Sequence, residues 1–181
     1  MLKIHDDVFD KEWIDYLSNQ LITQPWYCDN VANKTSWPNG TKGSHLLLGN
    51  LYYKVKKTEI IQNTRYKNFT EDLIKSFSGI AERVKSTMKL LEISSNLQFK
   101  GMDGTLHKDG TKNQRVFILM LCNEYLTKDI GGKFYHKPTN TYVKFHHGRL
   151  VEQNGLDLHK GLSFNKPHVA RMSIKFVGEN V

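Results

Sequence analysis

At 181 residues the chain has room for one domain with a substantial core and too little for two of ordinary size. Hydrophobic residues make up 39% and aromatics 11%, which excludes a disordered or low-complexity chain, while 26 Lys and Arg against 18 Asp and Glu give +8 and favour phosphate- or carboxylate-bearing partners. Only Cys28 and Cys122 are present, so a disulfide framework is excluded, and the longest uncharged apolar run, Val116 to Cys122, is far short of the roughly 20 residues that cross a bilayer.

The opening "MLKIHDDVFD" has no apolar signal core, so a cytoplasmic location without membrane association is expected, and the triplets at Asn33, Asn39 and Asn68 would carry no glycan. In "DKEWIDYLSNQL" Asp10 can cap a helix whose Trp13, Ile14, Leu17 and Leu21 recur at helical spacing. Next, β-prone runs flank turn chemistry at Pro38-Asn39-Gly40, which predicts two strands joined by a long polar loop. "TEDLIKSFSGIAERVKSTMKLLE" predicts a second helix capped by Thr70, with a stripe of Leu73, Ile74, Phe77, Ile80, Ala81, Val84, Met88 and Leu91. From Leu97 onward the chain reads as short strands: "LQFKGM", "RVFILMLC", "GKFYHK", "TYVKFHH", "GRLVEQ", "LDLHKGLSF" and "ARMSIKFV". Gly131-Gly132, Pro138-Thr139-Asn140 and Asn154-Gly155 supply turns between them. The pattern predicts one α+β domain over 1–181, with helical and strand support in 1–96 and a sandwich or barrel in 97–177.

His107 and Asp109 lie two apart, so an extended backbone points both to one face and lets them converge on one ion. Taken alone, His-x-Asp is equally well a loop ion pair. A third ligand is offered by His159, whose twelve-residue span to Arg171 suits leaving one strand and returning on the next better than the positions of His146, His147 or His168. Two histidines and one carboxylate leave open positions on the metal, as in non-haem Fe(II) sites, whereas closed structural zinc would want four ligands. In "VARMSIKFV", Ala170, Met172, Ile174 and Phe176 alternate with Arg171, Ser173 and Lys175. If that polar face looks inward, Arg171 needs an anion that fits its fork, and Ser173 can add a hydrogen bond. Lys175, toward the strand end, is read as a surface cation, and Cys122 as packing.

With these pieces in order, "DGTLHKDG", "GGKF", "GRLVEQ", "LDLHKGL" and "RMS", the sequence resembles the Fe(II)- and 2-oxoglutarate-dependent dioxygenases. The likeness is greatest to the small prolyl 4-hydroxylase-type branch with bacterial and viral members, and it covers about Leu97 to Val177. The resemblance implies a double-stranded β-helix, or jelly roll, in which His107, Asp109 and His159 are the catalytic metal ligands. It also implies that Arg171 and Ser173 hold the distal carboxylate of 2-oxoglutarate. Fe(II), 2-oxoglutarate and O2 are the implied cofactors and co-substrates, with ascorbate as an auxiliary reductant. The implied substrate is a protein or peptide, hydroxylated at proline. A nucleic-acid or small-molecule oxygenase of the same superfamily is the alternative, motivated by the basic charge, and a binding module without chemistry is a third reading.

The DNA-alkylation-repair branch usually has a second arginine where this chain has Val177. Many relatives place a tyrosine near Phe99, Lys100 and Met102 to reach the co-substrate; Gln98 or Tyr125 is left to fill that role. Lys133 stands where an acidic residue is frequent. Trp26, Tyr27 and Trp37 are candidates for a substrate groove or for core and rim. The sequence does not fix an oligomeric state.

Overall fold

Asp10 caps the first helix as its position implies: its carboxylate accepts from the Trp13 backbone N–H at 2.8 Å, and α1 runs Lys11–Ile22. The structure, a computed structural model, describes residues 1–28, 47–124, 126 and 128–181. Pro38-Asn39-Gly40, Trp37, Asn33, Asn39 and Tyr125 lie outside them.

The second helix begins earlier and ends earlier than its pattern suggests. A 3-10 turn, Thr64–Tyr66, leads into α2, Lys67–Arg83, so Thr70 is a buried residue inside the helix and not its cap. Lys85 takes φ 51° and turns the chain, and Met88 opens strand β4, Met88–Gln98. Met88 and Leu91 had fitted the helical stripe only because 3.6- and 2-residue periods coincide over a few positions. The division at 96/97 therefore falls inside a strand. The remaining strands are β1 Leu2–His5, β2 Leu48–Lys56, β3 Glu59–Gln62, β5 Gln114–Cys122, β6 Phe134–His136, β7 Thr141–Val143, β8 Leu150–Asn154, β9 His159–Gly161 and β10 Arg171–Asn180.

Seven strands form an antiparallel sheet in the order β1-β8-β5-β10-β4-β2-β3, and three form a second in the order β7-β6-β9. Alternation along the central strands gives the large sheet two buried faces. On one, Phe117, Leu119, Leu121, Met172, Ile174 and Phe176 join Leu17, Leu21, Leu73, Phe77 and Ile80 of the helices. On the other, Val116, Ile118, Met120 and Val151 pack against Phe134 and Val143 of the small sheet. Helices thus cover the outside and the small sheet covers the inside. Among the described residues no helix is long and apolar enough to cross a membrane.

Candidate active site

The same alternation that sends Met172 and Ile174 to the helices sends Arg171, Ser173 and Lys175 to the inner face. Arg171 is paired across the ladder with Gln98, and Ser173 with Asn96. These residues, with His107, Asp109 and His159, line one cavity closed by Leu47, Ile118 and Phe134.

His107 and Asp109 do not sit on a named strand. Their segment is instead zipped along the start of β9: Gly104 N–H donates to Gly161 O at 2.9 Å, His107 and His159 exchange backbone bonds at 3.1 Å, and Gly110 N–H donates to Gly155 O at 3.0 Å. That pairing brings residues fifty positions apart into contact. One ligand atom from each of His107, Asp109 and His159 lies within 4.8 Å of the others, and His159 Nε2 is 3.0 Å from Asp109 Oδ2. Donors in neighbouring positions of an octahedral ion with bonds of about 2.1 Å stand about 3 Å apart, so the spacing fits a divalent cation.

Hydrogen bonds behind the rings decide what they present. His107 Nδ1 is 2.7 Å from the Thr105 carbonyl and His159 Nδ1 is 3.0 Å from the Asp157 carbonyl. A carbonyl only accepts, so each Nδ1 carries the proton and each Nε2 offers a lone pair to the cavity. The Gln153 amide also touches His159 Nδ1, at 2.6 Å, and its oxygen is otherwise buried without a bond. Turned over, that amide accepts the same proton and holds the ring harder. Phe134 stacks on His159 with centroids 5.3 Å apart. Two imidazole lone pairs and a carboxylate thus face one point, a donor set that suits Fe(II) or Mn(II) and lacks the fourth ligand of a structural zinc.

Burial alone would push the Asp109 carboxyl up, but the field of the Lys175 ammonium above all holds it well below the ordinary range, so it is ionised. Lys175 lies 3.0 Å from Asp109 Oδ1 and 2.9 Å from Glu92 Oε1, and those two anions outweigh burial and raise its pKa. The sequence reading of Lys175 as a surface cation is therefore wrong. The strand alternation that moved Arg171 inward carried the signal for Lys175 as well.

Arg171 is 2% exposed. Its Nε–H donates to Gly132 O at 2.9 Å and Nη1–H to Gln98 Oε1 at 2.7 Å, and among the described residues no carboxylate forms an ion pair with it. Burial pulls its pKa down to about 10, partly offset by the field of Asp103. Such a guanidinium calls for an anion from outside. Gly161 makes room for it: a Cβ there would lie 3.0 Å from Nη1 and 3.1 Å from Gln98 Oε1. Gly132, at φ 71°, holds its carbonyl on Nε in a conformation that a side chain would strain, and a Cβ there would strike the Phe164 ring. Gln98, anchored on Met102 O at 2.6 Å, stands in the cavity, while Phe99 is substantially exposed.

The other described histidines lie elsewhere. His147 is 3.5 Å from Asp15, His136 is 3.1 Å from Asp157, and His146 and His168 are exposed. The buried Cys122 thiol donates to Glu124 O at 2.9 Å and is pushed up to about 11 by burial, as a packing residue would be. Trp26 packs against the core, and the Tyr27 hydroxyl accepts from Arg65 at 3.1 Å.

No family model and no curated protein matches the sequence. Solved structures do match its fold. An oxidoreductase of the 2OG-Fe(II) oxygenase family from Burkholderia pseudomallei aligns with TM-score 0.69 and 10% identity over 98% of this chain and 84% of that one. A prolyl hydroxylase from Trichoplax adhaerens, in complex with a hypoxia inducible factor peptide fragment, aligns with TM-score 0.58 and 12% identity over 99% and 83%. The non-heme alpha ketoglutarate dependent epimerase SnoN of nogalamycin biosynthesis aligns with TM-score 0.63 and 11% identity over 99% and 76%. The fold of this chain is that of the 2-oxoglutarate/Fe(II) oxygenases.

Proposed function

We propose that this protein is an Fe(II)- and 2-oxoglutarate-dependent dioxygenase that hydroxylates a protein or peptide, with proline as the target residue. In this reading residues 1–181 are one oxygenase domain whose two sheets form a double-stranded β-helix. The observation that carries the proposal is the pairing of two features in one cavity: three converging donors, and a buried guanidinium with no described carboxylate partner on the strand that follows the last of them.

His107, through Nε2, Asp109 and His159, through Nε2, would hold the metal, and the Thr105 and Asp157 carbonyls keep both rings in the tautomer this needs. Arg171 and Ser173 would hold the distal carboxylate of 2-oxoglutarate, the anion that a buried guanidinium without a described carboxylate partner calls for. Gln98 would orient that guanidinium through its amide oxygen. Leu47, Ile118 and Phe134 exclude water from the pocket. Iron with 2-oxoglutarate supplies the oxidative decarboxylation to succinate and carbon dioxide that is coupled to inserting one oxygen atom into a substrate C–H bond.

A peptide substrate is favoured by the fold's likeness to a prolyl hydroxylase solved with a peptide, and the epimerase of the same fold marks small molecules as the competing class. The test is twofold. His107→Ala and Asp109→Ala should each abolish iron-dependent conversion of 2-oxoglutarate to succinate; turnover at the parental rate in either would overturn the site. Incubation with proline-rich peptides and with oligonucleotides, read as a mass gain of one oxygen atom, should give product on peptide; product on oligonucleotide alone would overturn the substrate class.

A further inference from the structure

Lys175 stands four residues beyond Arg171 on β10, and its ammonium bridges two carboxylates, Asp109 Oδ1 at 3.0 Å and Glu92 Oε1 at 2.9 Å. Glu92 is itself held at its other oxygen by Lys54, 2.7 Å away. Glu92 and Lys175 come together because β4 and β10 are ladder neighbours: Lys175 is opposite Ser94, and Glu92 is the next residue on the same face. The four side chains alternate in sign, Lys54, Glu92, Lys175, Asp109, and cancel.

A packed lysine needs a counter-ion, yet here one of its counter-ions is a metal ligand. An ammonium salt-bridged to Asp109 repels a dication on that carboxylate. It also occupies Oδ1, which leaves Oδ2, facing His159 Nε2, as the oxygen free to bind. Glu92 changes the balance. It offers Lys175 a partner that the metal does not contest, so Lys175 stays neutralised when the charge of Asp109 is drawn to a cation.

We infer that Lys175 and Glu92 are a positioning pair for the metal site: Lys175 holds Asp109 as a one-oxygen ligand and weakens metal binding, and Glu92 offsets that weakening by sharing the ammonium. This rests on the reading of His107, Asp109 and His159 as metal ligands.

The test is calorimetric titration of Mn(II) alone into the full chain, with no turnover involved. Parental protein should bind one Mn(II), and Asp109→Ala should lose it. Lys175→Met should bind on the order of tenfold tighter, and Glu92→Gln on the order of tenfold weaker. The Glu92→Gln loss should shrink to below about threefold in the Lys175→Met background, because the ion it restrains is gone. A general loosening of the site would weaken both single variants, so unchanged or weaker binding by Lys175→Met overturns the inference, as does an undiminished Glu92→Gln loss in the double variant. If Lys175→Met fails to fold, Lys175→Gln takes its place, and Mn(II) affinity that is unchanged or weaker in it refutes the pair. No Mn(II) binding by parental protein would instead refute the metal-site reading, and the pair with it.

Discussion

Gly161 lies under the guanidinium of Arg171, and the absence of a side chain there is what lets Nη1 reach Gln98 at 2.7 Å. Gly161→Ala should push both groups by a few tenths of an ångström and raise the half-saturating 2-oxoglutarate concentration several-fold, with Mn(II) affinity within about twofold of parental because no ligand moves. Steady-state kinetics beside calorimetry separate these; an unchanged 2-oxoglutarate requirement would remove the clamp from Arg171. At this scale the sequence was informative where spacing carries the chemistry. His107, Asp109, His159 and Arg171 follow from i,i+2 geometry and a strand return, and the structure brings all four to one cavity. Lys175 shares the same alternation, yet its place near the strand end suggested solvent. Glu92 and Gln153 were not legible, because their roles depend on which strands are neighbours: Glu92 fell within a misread helix, and Gln153 meets His159 across a tight turn.

Strand β1 joins the large sheet through Glu152 of β8, whose buried carboxylate takes Arg115 at 2.6 Å and His5 at 2.8 Å. Burial would raise its pKa, but the bonds from Arg115 and His5 lower it below the ordinary 4.5. A carboxyl depressed on folding stabilises above its unfolded pKa and loses that contribution as pH falls through the folded value. Stability should therefore fall on acidification below about pH 4.5. Denaturant titrations should show Glu152→Gln less stable at pH 7, with a flatter slope below; an identical slope would exclude Glu152 as a source. On the same face, Leu73 of α2 is fully buried among the helix–sheet contacts. Leu73→Ala should cost about 2–5 kcal/mol, read as a shift in urea midpoint. The element order α-helix, then short strands, was readable from periodicity and turn residues. The end of α2 and the four-residue β1 were not, since a few residues fit either period and β1 gains its identity only by pairing with β8.

Across the whole molecule, the three proposed ligands tie the 104–110 segment to β9, and the large sheet supplies Arg171 and Lys175 from the other wall. Metal binding should consequently stabilise the entire fold. At a Mn(II) concentration about 100 times Kd the gain is about 2.7 kcal/mol, or about 5–10 °C in Tm for a domain of this size. Calorimetric melting with and without Mn(II) should show it, and Asp109→Ala should abolish the shift; an equal shift in that variant would locate the ion elsewhere. The α+β class was legible, and the unbroken apolar run of "RVFILMLC" marks a strand buried on both faces; which elements cover each face was not legible, because that depends on pairings between strands far apart in the chain.

The most direct test is a crystal structure grown with Mn(II) and a non-reactive 2-oxoglutarate analogue. One metal peak bonded to His107 Nε2, His159 Nε2 and a single oxygen of Asp109, with the distal carboxylate of the analogue on Arg171, is the expected result. Metal bound away from those three groups, or an analogue that leaves Arg171 untouched, would contradict it.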